Sequence, residues 1–217
     1  MKTKNTAVQL VYDELKEMIA NQELLPGERI IEADIAARAG CSRTPVREAI
    51  RLLQEDGLVD MIPNRGSFLK KVTKADVIRG FEVAEALEGM ACYLIAERVH
   101  NGELTSADFA ELEACAKELN HYLEAGLLKK WATADADFHA MLAELCGNHY
   151  IVQQRNRITD QINQVLWFVT PFDIDKQVSN QEHMQMLDIL QRGDAEAART
   201  IGQLHRHRVR NVLKVIL

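Results

Sequence analysis

The sequence predicts a mostly α-helical protein in two parts: a small helical domain with a β-hairpin over residues 1–73, and a six-helix antiparallel bundle over residues 74–217. Three observations predict this fold class. Apolar residues recur at helical spacing through most of the chain. Strand signals occur only at 58–62 and 67–69. The 217 residues, of which 47% are hydrophobic, suffice for two modest domains with packed cores.

The first part begins with two helices. The first is amphipathic and ends at a Pro-Gly turn; its apolar residues are Val8, Leu10, Val11, Leu15, Met18 and Ile19. A second short helix is predicted over Ile31–Ala39, and Gly40 closes it. The next helix begins near Pro45, since proline is tolerated in a first helical turn, and Ser42 or Thr44 can cap it.

The third helix and the segment after it complete a recognisable pattern. The helix ends at Gly57, and its predicted inward face consists of Val46, Ala49, Ile50 and Leu53. Leu58–Ile62 predicts a strand, Pro63–Gly66 a turn and Ser67–Leu69 a returning strand. Three helices with a tight turn between the last two, followed by a hairpin, indicate a winged helix-turn-helix.

Beyond residue 73 the pattern is helical almost throughout. Breaks at Asn101-Gly102, Gly126, Gly147-Asn148, Pro171 and Gly193 divide it into helices at about 74–98, 106–125, 130–146, 150–170, 176–192 and 194–216. Six antiparallel helices of this length form a bundle whose interior can hold a ligand.

The charge of the chain is unevenly distributed. The formal net charge is −6, but the part up to Lys74 has 12 lysines and arginines against 11 acidic residues. From Ala75 onward there are 14 basic and 21 acidic residues, so the acidity belongs to the second part. A local basic face on a near-neutral domain can bind phosphates, so the overall charge does not exclude a nucleic-acid partner.

Cysteines and apolar runs indicate the compartment. Cys41, Cys92, Cys115 and Cys146 lack the spacing of a disulfide framework or a C-x-x-C motif, which predicts reduced and mostly buried thiols. We find no signal peptide after the N-terminal residues and no apolar run long enough to span a bilayer. The expected location is the cytoplasm, without membrane association.

Arginines on the third helix form the first candidate site. Arg43, Arg47 and Arg51 are spaced four residues apart, on the face opposite the apolar one. A recognition helix needs this division, because arginine reads guanine edges or phosphates while the apolar side holds the domain together. The alternative is a solvated charged face in which glutamates pair with the arginines. The DNA-binding candidates are Arg43, Thr44, Arg47, Arg51, Arg65 and Gly66.

Inward-facing polar residues in the bundle form the second candidate site. Asp135 and His139 are one helical turn apart, on the face that carries Trp131 and Leu142. His183 and His205 also share faces with apolar residues of their helices. One aspartate and three histidines from three helices would suit Zn, Ni or Mn. The alternative is that each polar group bonds to a protein neighbour.

Four segments of the first part resemble the winged helix-turn-helix of GntR-family regulators: Pro26–Arg29, Ser42–Ala49, Gly57–Val59 and Pro63–Phe68. The resemblance implies homodimers bound to short palindromic operators in double-stranded DNA. It also implies that Arg43 and Arg47 read bases, that Thr44 contacts the backbone and that Gly66 brings the wing to the minor groove. Some members have a base-contacting arginine where this chain has Ala33.

Nearly all of residues 75–217 resembles the FadR-type C-terminal domain, called FCD, and its shorter VanR-like variant. The matching pieces are Leu87-Glu88-Gly89, Asp135-x-x-Phe138-His139, Gly147-Asn148, Glu182-His183 with Leu187, and Asp194 with His205. The resemblance implies dimerisation and a divalent metal, first of all zinc, held by Asp135, His139, His183 and His205. It also implies a small-molecule effector such as an organic acid.

One departure concerns that effector. Many relatives have a carboxylate-clamping arginine where this chain has Ala84, so Arg155, Arg157 or an effector without a carboxylate would have to replace that contact.

The two candidate sites together predict a transcriptional repressor whose operator affinity is changed by an effector bound with or near a metal in the bundle. Two other classes compete with it. A helical bundle with one aspartate and three histidines can activate water, which would make the protein a metalloenzyme. A structural DNA-binding dimer with an empty bundle is the third reading.

Overall fold

The structure is a computed structural model that describes the backbone of residues 6–169 and 175–217 and the side chains of 6–162 and 175–217. The chain forms two compact units. One runs to Thr73 and includes Thr159–Val165, and the other contains Lys74–Ile158 and the chain from Leu166 onward. Within the described ranges, no helix combines the length and the apolar character that a membrane span requires.

Three helices and a small antiparallel sheet make up the first unit. The helices are α1 (Ala7–Ala20), α2 (Glu32–Arg38) and α3 (Arg43–Glu55), and the strands are β1 (Arg29–Ile30), β2 (Val59–Ile62) and β3 (Gly66–Leu69). Strand β3 lies between the other two and is antiparallel to both. The predicted winged helix-turn-helix is therefore confirmed, with β2 and β3 as the wing.

Strand β1 is the element that the sequence prediction lacks. It pairs Arg29 with Phe68 and Ile30 with Ser67. Two residues are too few to show the alternation by which a strand is recognised. The predicted second helix also begins one residue too early, because Ile31 has extended backbone angles (φ −94°, ψ 105°) and α2 starts at Glu32.

The first unit is held by the predicted inward face of α3. Its four apolar residues are at most 2% exposed and pack with α1 and the sheet; they are Val46, Ala49, Ile50 and Leu53. Each fully buried aliphatic side chain contributes about 1.5–3 kcal/mol to the hydrophobic term. The arginines on the opposite face of α3 are exposed to solvent.

Six α-helices follow Thr73 in the described part of the chain, as predicted, and the Thr159–Val165 segment of the fourth of them groups with the first unit. They are α4 (Lys74–His100), α5 (Ala110–Glu124), α6 (Leu128–Leu145), α7 (His149–Val169), α8 (Lys176–Gln191) and α9 (Ala195–Ile216). One 3-10 turn at Ser106–Phe109 leads into α5. The carboxylates of Asp175 and Asp194 accept hydrogen bonds from the first turns of α8 and α9, which satisfies backbone donors there.

Helices α4 and α9 pack closely because small residues face each other. A Cβ added to Gly202 would lie 2.8 Å from Sγ of Cys92 and 3.3 Å from the carbonyl oxygen of Glu88. The core around this contact is mostly apolar, but it also contains Glu88, His139, His183 and His205, each at most 7% exposed. Buried polar groups of this kind need partners, which makes them the natural candidates for a site.

We expect Gly202→Ala to lower the free energy of unfolding by about 1–3 kcal/mol, because the added methyl group would push on α4 in a tightly packed core. Urea unfolding followed by circular dichroism measures the change. Thr200→Ala, at an exposed position of the same helix, is the control and should stay within about 0.5 kcal/mol of wild type. Equal stability of all three proteins would contradict the close packing of α4 and α9.

The four cysteines are free thiols, and three of them are buried, as the sequence predicts. Burial raises the pKa of Cys115 to about 11. A thiol with so high a pKa has little nucleophilic thiolate at pH 8. We therefore expect a thiol reagent at pH 8 to modify about one cysteine per native chain rapidly, the half-buried Cys41, and the others only after denaturation. Rapid labelling of Cys115 in the native protein would contradict its burial.

Candidate functional site

The candidate DNA-reading residues all lie on the surface of the first unit. Arg43 is the first residue of α3, and Ser42 precedes it as the N-cap without a side-chain hydrogen bond. Pro45 falls in the first turn, as expected. All six predicted residues are exposed: Arg43, Thr44, Arg47, Arg51, Arg65 and Gly66. The first turns of α3 thus present donors to solvent while its other side is buried.

Two of these arginines have acidic partners. The Nε of Arg47 donates to Glu32 of α2 at 2.8 Å, and a guanidinium nitrogen of Arg51 donates to Glu48 at 3.0 Å. The side chains of Arg47 and Arg51 remain 60% and 63% exposed. Exposed ion pairs contribute about 0–1 kcal/mol, so exchanging these partners for DNA costs little. The glutamate pairing that the sequence offered as an alternative is therefore present and compatible with DNA binding.

The wing places its glycine at a position that requires glycine. Gly66 opens β3 with φ +100°, and a Cβ there would lie 3.2 Å from Nε of Arg29. Side chains other than hydrogen strain such a backbone. Arg65 lies beside it in the turn between β2 and β3. The wing tip therefore combines an exposed cation with a backbone that another molecule can approach closely.

Three imidazoles meet inside the second unit. His139 of α6, His183 of α8 and His205 of α9 each offer a ring nitrogen, and these nitrogens lie within 4.8 Å of one another. Their side chains are at most 2% exposed. Ring centroids are separated by 4.7–5.1 Å. The predicted inward orientation of all three is confirmed, and the structure brings them together.

Asp135 lies at the edge of this cluster. Its carboxylate oxygens are 3.9 Å from Nε2 of His139 and 3.7 Å from Nε2 of His183, and its side chain is 25% exposed. These distances are too long for hydrogen bonds. Among the described residues, neither ring nitrogen of His139 or of His183 makes a hydrogen bond, although Nδ1 of His139 lies 2.9 Å from a carboxylate oxygen of Glu88. The cluster therefore brings together nitrogen and oxygen atoms that could bind a metal, and these atoms are not hydrogen-bonded to one another.

The environment keeps two of the imidazoles, those of His139 and His183, uncharged. Burial and the charge of Arg206 lower the pKa of His139 to about 4, against the opposing carboxylate of Glu88. Burial, together with the neighbouring imidazoles and arginines, lowers the pKa of His183 well below its ordinary value. Both rings are therefore neutral at pH 7, which is the form that binds a metal.

Two carboxylates that the sequence analysis gave no role surround the cluster. Glu88 of α4 is 7% exposed; it lies 2.9 Å from Nδ1 of His139 and accepts a hydrogen bond of 2.7 Å from Arg206. Burial alone would raise the pKa of Glu88, but Arg206 and His139 hold it well below its ordinary value. Glu182 of α8 lies 2.7 Å from Nδ1 of His205.

The arginine at Glu182 is held by several groups. Nε and a terminal nitrogen of Arg208 both donate to this carboxylate at 2.7 Å, and the same terminal nitrogen also contacts Oγ of Ser179 at 2.7 Å. Burial opposes ionisation of Glu182, but hydrogen bonds from His205 and Arg208 hold its pKa below the ordinary value. Glu182 is therefore ionised at neutral pH.

A small cavity adjoins one of the three imidazoles. Glu88, His139 and Arg155 line it together with apolar side chains, and it encloses about 10 Å³, the space of roughly one water molecule. Arg155 donates to the carbonyl of Ala136 and to Asn156, each at 3.0 Å. The sequence analysis offered Arg155 and Arg157 as substitutes for the carboxylate-binding arginine that is missing at position 84. The structure places Arg155 at the cavity.

The remaining histidines lie outside the cluster. His100, His121 and His149 are exposed near helix ends, as the sequence predicts. His207 is 46% exposed on the other side of α9.

Known families account for both units. The FCD domain family matches residues 80–208, and the gntR family of bacterial regulatory proteins matches residues 7–69. The chain is a GntR-family regulator with an FCD domain. This class consists of transcriptional regulators and not of enzymes, which removes the metalloenzyme alternative.

Individual relatives agree with this assignment. The HTH-type transcriptional regulator YdhC of Bacillus subtilis is 28% identical over 188 residues, 87% of this GntR-family chain and 82% of YdhC. The HTH-type transcriptional repressor RspR of Escherichia coli is 24% identical over 189 residues, 87% of this chain and 81% of RspR. The structure of E. coli McbR/YncC has the same fold, with a TM-score of 0.78 at 21% identity over 97% of this chain and 98% of that one.

Proposed function

We propose that this regulator is a cytoplasmic homodimeric repressor that binds a palindromic operator through residues 1–73 and senses a small molecule through residues 74–217. A bound effector would favour one arrangement of the paired DNA-binding domains. Operator affinity then changes only by the difference in effector binding between the two arrangements. The observation that carries the sensing part is the cluster of three buried imidazoles, which a purely structural bundle would not need.

In the DNA-binding part, we propose that α3 enters the major groove. Arg43 and Arg47 lie in its first turns, the part of a recognition helix that contacts base edges. Thr44 contacts a phosphate, and Arg51 adds a charge further along the same exposed face. Arg65 and Gly66 take the wing to the minor groove.

In the sensing part, we propose a divalent metal site formed by Asp135, His139, His183 and His205. The fit rests on the unpartnered nitrogens of two neutral, buried imidazoles beside a carboxylate. Such unsatisfied groups are costly in a protein interior unless a ligand completes them. Nitrogen and oxygen donors suit zinc first, with nickel or manganese as alternatives. A metal held by these four residues would act as a Lewis acid that can bind water or an organic ligand.

For the effector, we propose a small organic acid that binds next to this site. The cavity beside His139 and Glu88 leads to Arg155, whose guanidinium can recognise a carboxylate. The cavity as it stands has space for about one water molecule, so an effector requires the surrounding side chains to move. Movement of this kind is a physical means of coupling the ligand to a second arrangement of the protein.

The experiment that tests this function selects operators from random DNA and then measures affinity by fluorescence anisotropy with and without zinc and a panel of organic acids. We expect one palindromic operator, and an affinity that changes at least fivefold, about 1 kcal/mol, with metal and acid together. If no metal and no acid changed the operator affinity or the thermal stability, the protein would be a structural DNA-binding dimer.

A further inference from the structure

The surroundings of the histidine cluster contain the same arrangement twice. In each copy, a glutamate carboxylate lies against the Nδ1 atom of one imidazole and against one arginine of α9. Glu88 lies between His139 and Arg206, and Glu182 lies between His205 and Arg208. The two glutamates come from different helices, α4 and α8, so the repetition does not arise from one local motif.

Helix α9 makes this symmetry possible. Residues 206 and 208 lie about 200° apart around a helix axis, so their side chains leave on opposite sides. One side meets α4 and the other meets α8, while His205 stands next to Arg206 in the sequence. Each arginine neutralises a carboxylate that burial would otherwise penalise.

Each of these carboxylates already accepts a hydrogen bond from its arginine, so an imidazole nitrogen that faces it pairs favourably only as a donor. At 2.7 Å from Glu182, Nδ1 of His205 is that donor. The oxygen of Glu88 lies 2.9 Å from Nδ1 of His139, close enough to attract a proton on Nδ1 electrostatically although the contact lacks hydrogen-bond geometry, and Nε2 of the same ring faces Asp135. In both rings, Nε2 is then the nitrogen that remains to bind a metal.

We infer that Glu88 and Glu182 are positioning residues that fix the tautomer and orientation of His139 and His205, so that both rings present Nε2 to the metal. This inference rests on the metal site proposed above. His183 has no carboxylate at hydrogen-bond distance among the described residues, and its ring instead packs on Phe138 with centroids 4.3 Å apart. Before any metal binds, a carboxylate thus orients two of the three imidazoles, whereas packing orients the third.

The test compares Glu88→Gln and Glu182→Ala with Glu113→Ala in the full-length protein. Glu88 is buried, so an isosteric change is used there; Glu182 is 18% exposed and tolerates truncation better. Glu113 accepts a hydrogen bond from Gln191 elsewhere in the second unit and is the matched control carboxylate. Zinc affinity is measured by competition with a chromophoric chelator, and the imidazole tautomers of the metal-free protein by nitrogen-15 NMR.

We expect each of the two variants to bind zinc roughly 10- to 100-fold more weakly than wild type, the usual effect of removing an outer partner of a metal-bound histidine. Glu113→Ala should bind as wild type does. In metal-free wild type, His205 should appear as the Nδ1–H tautomer, and Glu182→Ala should turn it into a mixture. Unchanged zinc affinity in both variants, or an unchanged His205 tautomer in Glu182→Ala, would overturn the inference. Failure of wild type to bind zinc would overturn the metal site itself. The tautomer of His205 in the metal-free protein would still show whether Glu182 fixes the ring.

Discussion

Arg47→Ala is expected to weaken binding to the selected operator by about 1–3 kcal/mol, or roughly 5- to 150-fold, which is the range for loss of a bidentate base contact. The guanidinium is exposed on the open face of α3, and its partner Glu32 is a surface group that DNA can replace at little cost. Binding to unrelated DNA should fall much less, because non-specific binding depends on phosphates. Anisotropy titrations on the operator and on a scrambled duplex measure both quantities.

The control for this prediction is Arg192→Ala. Arg192 is an exposed arginine that is also ion-paired, to Asp188, but it lies in the second unit. We expect its operator affinity to match that of wild type at the same salt concentration. An Arg47→Ala variant that binds the operator as tightly as wild type would remove Arg47 from the base-reading residues.

The double variant His183→Ala/His205→Ala is expected to lose its metal completely, since two of the four proposed ligands disappear. Wild type should contain about one divalent ion per chain after purification with added zinc. A ligand that binds only the native state stabilises it by about 4 kcal/mol at 1,000 times its dissociation constant. Excess zinc should therefore raise the melting temperature of wild type and leave that of the double variant unchanged. Plasma emission spectrometry and differential scanning calorimetry provide the two readouts.

His121→Ala is the matched control, because His121 is an exposed histidine of the same unit and belongs to no cluster. It should keep both the metal and the zinc-dependent rise in melting temperature. Equal and negligible metal in wild type and the double variant would return the three imidazoles to the role of ordinary core residues.

The amphipathic pattern of α3 made its orientation predictable. Val46 and Ile50 recur at helical spacing and are buried, and this forces Arg47 and Arg51 to the surface. The same logic placed His139 and His205 inside the bundle, since each shares its helical face with apolar residues. Periodicity determines which side of a helix is buried. It does not determine which buried side chains of different helices meet, and only the structure shows the 4.8 Å cluster.

Other features needed tertiary information. Strand β1 consists of two residues and exists only because β3 lies beside it. The partner of Arg47 is Glu32 of another helix, which spacing does not reveal, whereas the pair of Arg51 with Glu48 lies within one helical turn and follows from spacing. Glu88 did leave a signal: it shares its helical face with Ala91, Cys92 and Ile95, all of them buried. A carboxylate on an apolar face requires a buried partner, and Arg206 of α9 is that partner.

Recognition of specific DNA sequences by α3 can be tested with genomic DNA. Genomic fragments of the host are incubated with purified protein, captured with it and sequenced, in parallel for wild type and for an Arg43→Ala/Arg47→Ala double variant. If α3 recognises specific sequences, wild type enriches a small set of fragments sharing one palindrome, and the double variant enriches none of them. Absence of any enrichment by wild type at low ionic strength, or the same enrichment by both proteins, would contradict this recognition.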